Sequence, residues 1–192
     1  MSIVLTDTKN LLSELIAQYG SRVDYLAIRL EEAEGTSILL RGDKIETLSE
    51  GLSIGGQVRA CYKGGWGFSS FNQLSAIKER VEDAIAAARI VGNQETTLAP
   101  IEPIQDVCQL PLTGTDPRQI PLAQKKALCD RYNQILRSYD SSIATTSVRY
   151  GDVNQRIIIA TSEGTLIEQS WADLEMRFAA TARNGDTVHT GR

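Results

Sequence analysis

One histidine and three cysteines, His189, Cys61, Cys108 and Cys129, are the whole stock of imidazole and thiol in this 192-residue chain. Zinc sites usually draw four ligands from these two side-chain types. The cysteines are far apart in sequence, with no C-x-x-C pair to present two thiolates to one metal. This inventory opposes a self-contained zinc enzyme, a Cys-His protease and a Ser-His-Asp hydrolase built on a further histidine. His189 falls in a Thr-rich stretch and reads as a spectator. The acids Glu31, Glu32 and Glu34 precede Gly35 and read as a solvated strand end that blocks aggregation rather than a paired-carboxylate site. Gly51, Gly55, Gly56, Gly64, Gly65 and Gly67 form a glycine cluster, yet phosphate loops join a strand to a helix N-terminus. Here the glycines flank strands and a hairpin, and Lys63 precedes its glycine pair. Trp66, Phe68 and Phe71 read as core packing rather than a base-stacking platform, for want of interleaved basic residues. Arg59, between Val58 and Ala60, has two open readings: a polar groove or a carboxylate partner.

Composition narrows the class further. Lys and Arg number 20 against 24 Asp and Glu, a net charge of −4, and apolar residues make up 42%. That is a soluble globular balance without the basic face that phosphate neutralisation needs, so no nucleic-acid partner is expected. No basic n-region opens the chain and no apolar run approaches a membrane span, so neither a signal peptide nor a membrane partner is expected. An odd, sparse cysteine count suits a reducing, cytoplasmic setting and three separate half-buried thiols, with a pairing between two of them as the alternative.

The elements that must position these residues follow from periodicity. Thr6 and Asp7 start a helix whose apolar Leu11, Leu12, Leu15, Ile16 and Tyr19 keep helical spacing until Gly20. Period-two runs at 25–30, 36–41, 44–48, 53–62 and 66–70 predict a five-strand meander, with breaks at Gly35, Gly42-Asp43, Gly51 and Lys63-Gly64-Gly65. A second helix follows Asn72, buries Leu74, Ile77, Val81, Ile85 and Ala88, and closes at Gly92. All five prolines lie at 100–121, so residues 96–120 read as a Pro-rich connector with one short edge strand. Pro121 opens a third helix whose apolar face is Leu128, Tyr132, Ile135, Leu136 and Tyr139. Strands at 142–150, 155–161 and 165–183 complete the chain, with a turn at Ser162-Glu163-Gly164. Asn184-Gly185-Asp186 then begins a returning strand that the sequence leaves short, which reads as a cut through a longer protein. The expected fold is α+β: an antiparallel meander sheet with helices on one face and a second strand group after the connector. The expected organisation is residues 1–95, the connector 96–120, and residues 121–192.

The strand Gly55-Gly56-Gln57-Val58-Arg59-Ala60, the hairpin Gly64-Gly65-Trp66-Gly67-Phe68-Ser69 and the helix carrying Val81, Ala84 and Ala87-Ala88-Arg89 together resemble the opening domain of the TldD/PmbA metallopeptidase family, formerly labelled modulator of DNA gyrase. Asp116-Pro117 and the run from Ile157 to Thr165 extend the resemblance over residues 10–190, nearer the TldD-type subunit. It implies that Gly55, Arg59, Gly65, Gly67, Phe68, Ser162 and Gly164 are structural positions of the family pattern. It also implies a cytoplasmic zinc peptidase acting on unstructured peptides as a homo- or hetero-dimer, with zinc held by HExxxH and a later Cys. His189-Thr190-Gly191-Arg192 has neither the Glu nor the second His, so no catalytic or metal-ligating residue carries over and no cofactor is expected in this chain. The expected function is a non-catalytic N-terminal domain contributing cavity wall, dimer support and substrate access, with zinc in the full-length parent. The alternative is a free-standing protein- or peptide-binding module without hydrolytic activity.

Overall fold

The computed structural model describes residues 5–95, 97–112 and 114–192, apart from the side chains of residues 5–7. The first helix starts at Leu5, beside the expected start at Thr6 and Asp7, whose side chains lie outside what is described, as does the reading of the first four residues. The elements are helix α1 (Leu5–Tyr19), strands β1 (Tyr25–Arg41), β2 (Lys44–Tyr62) and β3 (Gly65–Phe71), helix α2 (Ile77–Val91), strand β4 (Gln105–Gln109), helix α3 (Leu122–Ser138), and strands β5 (Ile143–Thr161), β6 (Leu166–Asn184) and β7 (Thr187–Gly191). The sheet order is β3-β2-β1-β5-β6-β4, and β7 pairs with β6. This is the α+β fold expected, with one parallel exception: β4 runs parallel to β6.

The strands are fewer and longer than the periodicity suggested. The expected breaks at Gly35 and Gly51 are absent, and β1 and β2 run through them for 17 and 19 residues. Likewise, the predicted strands at 142–150 and 155–161 are one 19-residue strand, β5. Gly35 marks a close approach, not a turn: a Cβ built there would lie 2.4 Å from the Asp152 carbonyl oxygen. True turns show positive φ instead, at Gly42 (55°), at Lys63 and Gly64 (44° and 74°), and at Gly164 (95°). Lys63-Gly64 is therefore a two-residue turn of the kind whose twist suits a hairpin.

The chain forms two compact units. The first comprises Met1–Glu32, Ser53–Leu110 and Arg156–Ser170. Its core sets Leu12, Leu15 and Tyr19 of α1 and Ile77, Val81, Ala84, Ile85 and Ala88 of α2 against Leu26, Ile28, Leu30, Val58, Ala60, Ile158 and Ala160. The β1, β2 and β5 residues of this core are all even-numbered, and Phe71 of β3 joins them opposite Gly56, so α1 and α2 share one face of the sheet here. Helix α2 approaches closely because β3 offers no side chain in its path. A Cβ on Gly67 would fall 2.0 Å from the Ala84 carbonyl oxygen, and one on Gly65 would fall 2.5 Å from that of Ala88.

The second unit comprises Ala33–Leu52, Pro111–Gln155 and Trp171–Arg192. Its core is Ile38, Leu40, Cys129, Val148 and Tyr150, with Leu122, Leu136, Met176 and Phe178 beside it. Of the apolar face expected of α3, only Leu136 packs beside the core. Leu128, Tyr132, Ile135 and Tyr139 are 37%, 39%, 52% and 84% exposed, while Lys125, Cys129 and Asn133 are buried. The turn-to-turn spacing of this buried stripe is helical, and its polar members have partners. Asn133 Nδ2 donates to the Gly42 carbonyl oxygen at 2.8 Å, and its Oδ1 accepts from the Thr146 hydroxyl at 2.6 Å. These bonds tie α3 to the β1–β2 turn, and satisfaction outweighs hydrophobicity in selecting the inward face.

Candidate functional site

In the first unit the face of β2 and β3 turned away from α2 carries an aromatic cluster. The hairpin register sets Arg59 opposite Phe68 and Cys61 opposite Trp66. The Arg59 guanidinium lies 5.0 Å from the Trp66 ring centroid and 5.7 Å from that of Phe68. Trp66 and Phe68 stack at 6.3 Å and 22°, and Tyr25 of β1 meets Trp66 edge-on at 5.9 Å. Phe68 is 61% exposed, and only Phe71 of the three predicted core aromatics is buried. This corrects two expectations. Arg59 rests on ring faces, which attract a cation through their quadrupole, and the basic residue interleaved with the aromatics stands on the neighbouring strand. A linear scan for alternating cations misses such a cross-strand pair. Burial, only partly opposed by Arg59, pushes the Tyr25 phenol above its ordinary range. Burial likewise raises the Cys61 thiol, which leaves it a packing residue rather than a nucleophile.

Strand β3 is also an end of the sheet. Tyr62 and Gly65 flank the two-residue turn as a hydrogen-bonded pair, so alternation turns the backbone N–H and C=O of Trp66, Phe68 and Ser70 outward. No strand pairs with that side among the described residues. The opposite end, β4, differs. Its even-numbered residues face β6, as the bonds Leu166 N–H to Ile104 O and Leu110 N–H to Ser170 O require. The outward Val107 N–H is capped by its neighbour Asp106, at 2.8 Å. A strand end can be guarded in this way against pairing.

The second unit holds a cleft of about 400 Å³ lined by Glu34, Thr36, Glu50, Arg118, Lys125 and Asp152, among others. Lys125 Nζ, 4% exposed, donates to Asp152 Oδ2 and Thr36 Oγ1, both at 2.7 Å. Asp152 Oδ2 also accepts from the Tyr150 hydroxyl at 2.5 Å. Burial and this bond to a carboxylate drive the Tyr150 phenol far above its usual range. At the mouth, Arg118 grips Asp116 through Nε and Nη2 at 3.0 and 2.6 Å and holds its carboxyl below the ordinary carboxylate range. Nothing in the linear pattern marks this cluster, because lysine is normally assigned to solvent.

The remaining predicted residues disperse. His189 is exposed on β7 opposite Ala182. All three thiols are free, but the expectation that they are half-buried fails: Cys61 and Cys129 are buried and Cys108 is exposed. The acids lie within β1, which has neighbours on both sides, rather than at a strand end, and of the three only Glu34 is exposed. Glu31 meets Arg29 at 2.8 Å, and Glu32, 14% exposed, meets Arg156 at 3.3 Å. Gly55 approaches the Phe71 carbonyl, where a Cβ would fall at 3.2 Å. Ser162 Oγ accepts from the Leu26 N–H at 2.9 Å, and Gly164 turns the chain beside Pro103. Among the described residues no three His, Cys, Asp or Glu side chains gather in a way that could hold a metal ion.

Very long strands, a helix α2 docked over Gly65 and Gly67, and a helix α3 set on a polar stripe are the features to be placed among known proteins. The sequence matches "PmbA/TldA metallopeptidase domain 1" over residues 26–88 and "PmbA/TldA metallopeptidase central domain" over residues 115–192. The chain belongs to the PmbA/TldD metallopeptidase family. It is 58% identical over 188 residues to a metalloprotease of Synechocystis sp., covering 98% of this chain and 41% of the relative. A metalloprotease of Methanocaldococcus jannaschii is 32% identical over 174 residues, covering 88% and 38%. In fold it is similar to the Thermotoga maritima protein described as a modulator of DNA gyrase, with a TM-score of 0.78 at 14% identity over 96% of this chain and 42% of that one. Thermococcus kodakarensis TldE gives 0.73 at 16%, over 92% and 40%. The chain thus spans about two fifths of the relatives it matches.

Proposed function

We propose that this chain is the substrate-handling, non-catalytic part of a metallopeptidase and holds an extended peptide on the outer side of β3. The observation that carries this reading is the asymmetry of the sheet ends: β4 caps its outward Val107 N–H, whereas β3 leaves the outward groups of Trp66, Phe68 and Ser70 without a strand partner. Main-chain pairing of this kind is tolerant of sequence, as unstructured peptide substrates require. In this reading the metal, zinc by the family pattern, and its general base are supplied by the rest of the parent protein. The sheet forms one wall of the cavity that receives the peptide, restricts entry to extended chains and supports a dimer with a second TldD- or PmbA-type subunit. Three free thiols accord with a cytoplasmic setting. No described helix is long and apolar enough to cross a membrane.

Ser70→Pro tests the reading in the full-length protein. Proline there removes one outward N–H and leaves the β2–β3 bonds intact. The expected result is a fall in kcat/KM for unstructured peptides of up to about tenfold, the loss of one main-chain hydrogen bond, with metal content and melting temperature nearly unchanged. Unaltered kcat/KM removes β3 as the peptide-holding strand.

A further inference from the structure

We propose that the Arg59–Trp66–Phe68 cluster is a carboxylate-recognition site that selects acidic extended peptides lying against β3. This rests on the peptide-holding reading of β3 and adds the chemistry of the occupant. A guanidinium stacked on ring faces spends its π surface on the contact and keeps its in-plane N–H donors free. Arg59 has ring partners on Trp66 and Phe68, whereas the neighbouring cation on the same side, Arg29, is paired with Glu31 at 2.8 Å. Among the described residues no carboxylate pairs with Arg59, whose guanidinium lies against two rings that cover one of its faces. That arrangement suits bidentate binding of a carboxylate, whose planar geometry matches the guanidinium fork. Phe68 and Trp66 belong to the strand whose outward backbone groups are open, and Arg59 lies directly across from Phe68. A peptide strand added beside Phe68 brings its own side chains along the same face, within reach of the guanidinium. The carboxylate can come from a Glu or Asp side chain or from a free peptide C-terminus.

These 192 residues contain two tryptophans, so in this chain by itself a Trp171→Phe background makes Trp66 the sole indole reporter. Acetylated, unstructured octapeptides are titrated in three forms: a central Glu with an amidated C-terminus, a central Gln with an amidated C-terminus, and a central Gln with a free C-terminus. The Glu peptide is expected to perturb Trp66 emission with about tenfold tighter binding than the amidated Gln peptide. Arg59→Gln is expected to erase that difference, and Arg59→Lys to restore only a minor part of it. Preference for the free C-terminus over the amidated Gln peptide, lost in Arg59→Gln, identifies the terminus as the source and also supports the site. Equal binding of all three forms, or discrimination that survives Arg59→Gln, overturns the site while leaving peptide holding by β3 in place. Failure of every peptide to bind overturns both.

Discussion

Lys125 and Asp152 face each other at 2.7 Å with 4% and 2% of their side chains exposed. Water that would solvate two such ions is replaced by Thr36 and Tyr150. Desolvating both charges costs several kcal/mol, and their attraction repays it only while the geometry and extra hydrogen bonds persist. Removing one partner strands the other, so Lys125→Met is expected to destabilise the chain by about 3–5 kcal/mol. Lys125→Met with Asp152→Asn is expected to recover most of that loss, since no buried charge is left unpaired. Urea denaturation of wild type, single and double variants measures the difference, and equal losses in the two variants would mean that the pair is not coupled. The sequence hides this site because its partners lie on α3, β1 and β5. Arg59 was readable as a residue of interest, and its ring contacts were not, because they exist only after the hairpin register is set.

Turns and helices were the most legible features, and their chemistry explains why. Lys63-Gly64, Gly42, Gly164 and Gly185 all adopt positive φ, the conformation that turn glycines were expected to supply. Gly35, Gly67 and Gly65 look the same in sequence but serve close approach, which depends on what a distant segment brings near. Gly67→Ala tests that distinction. Its Cβ would meet the Ala84 carbonyl oxygen at 2.0 Å, and backbone cannot yield as a flexible side chain would. The expected cost is about 1–3 kcal/mol, with α2 displaced from β3. Gly51→Ala, with nothing within 4 Å of its Cβ, is expected to be neutral or to stabilise by up to about 1 kcal/mol through the unfolded chain. Chemical denaturation compares the two. Equal effects would make both glycines matters of conformational freedom alone. The face of α3 differs from its periodicity for a related reason: Leu128, Tyr132, Ile135, Leu136 and Tyr139 carry the apolar spacing and only Leu136 packs beside the core, while Lys125 and Asn133 have the buried partners.

The α+β class followed from the order of periodic segments, but the sheet's length did not. Typical strands have about five or six residues, so glycines inside 17- and 19-residue strands were read as boundaries. The residue inventory bears more directly on the chain's place in a peptidase. A histidine exposed on β7, two buried thiols and one exposed thiol are separate from one another, and no described cluster of donors approximates a zinc site. Metal binding would require these groups to converge in the folded state, since binding energy for a structural zinc is folding energy. The isolated chain is therefore expected to contain well under one zinc per molecule by elemental analysis after purification in zinc-containing buffer. Its melting temperature should be unmoved by a chelator, whereas a metal that bound at a hundred times its dissociation constant would add about 2.7 kcal/mol to stability and be lost on chelation. Stoichiometric zinc with a chelator-sensitive melting temperature would place a metal centre within these residues. It would also overturn the division of labour in which this chain handles the peptide and the remainder of the parent supplies the metal.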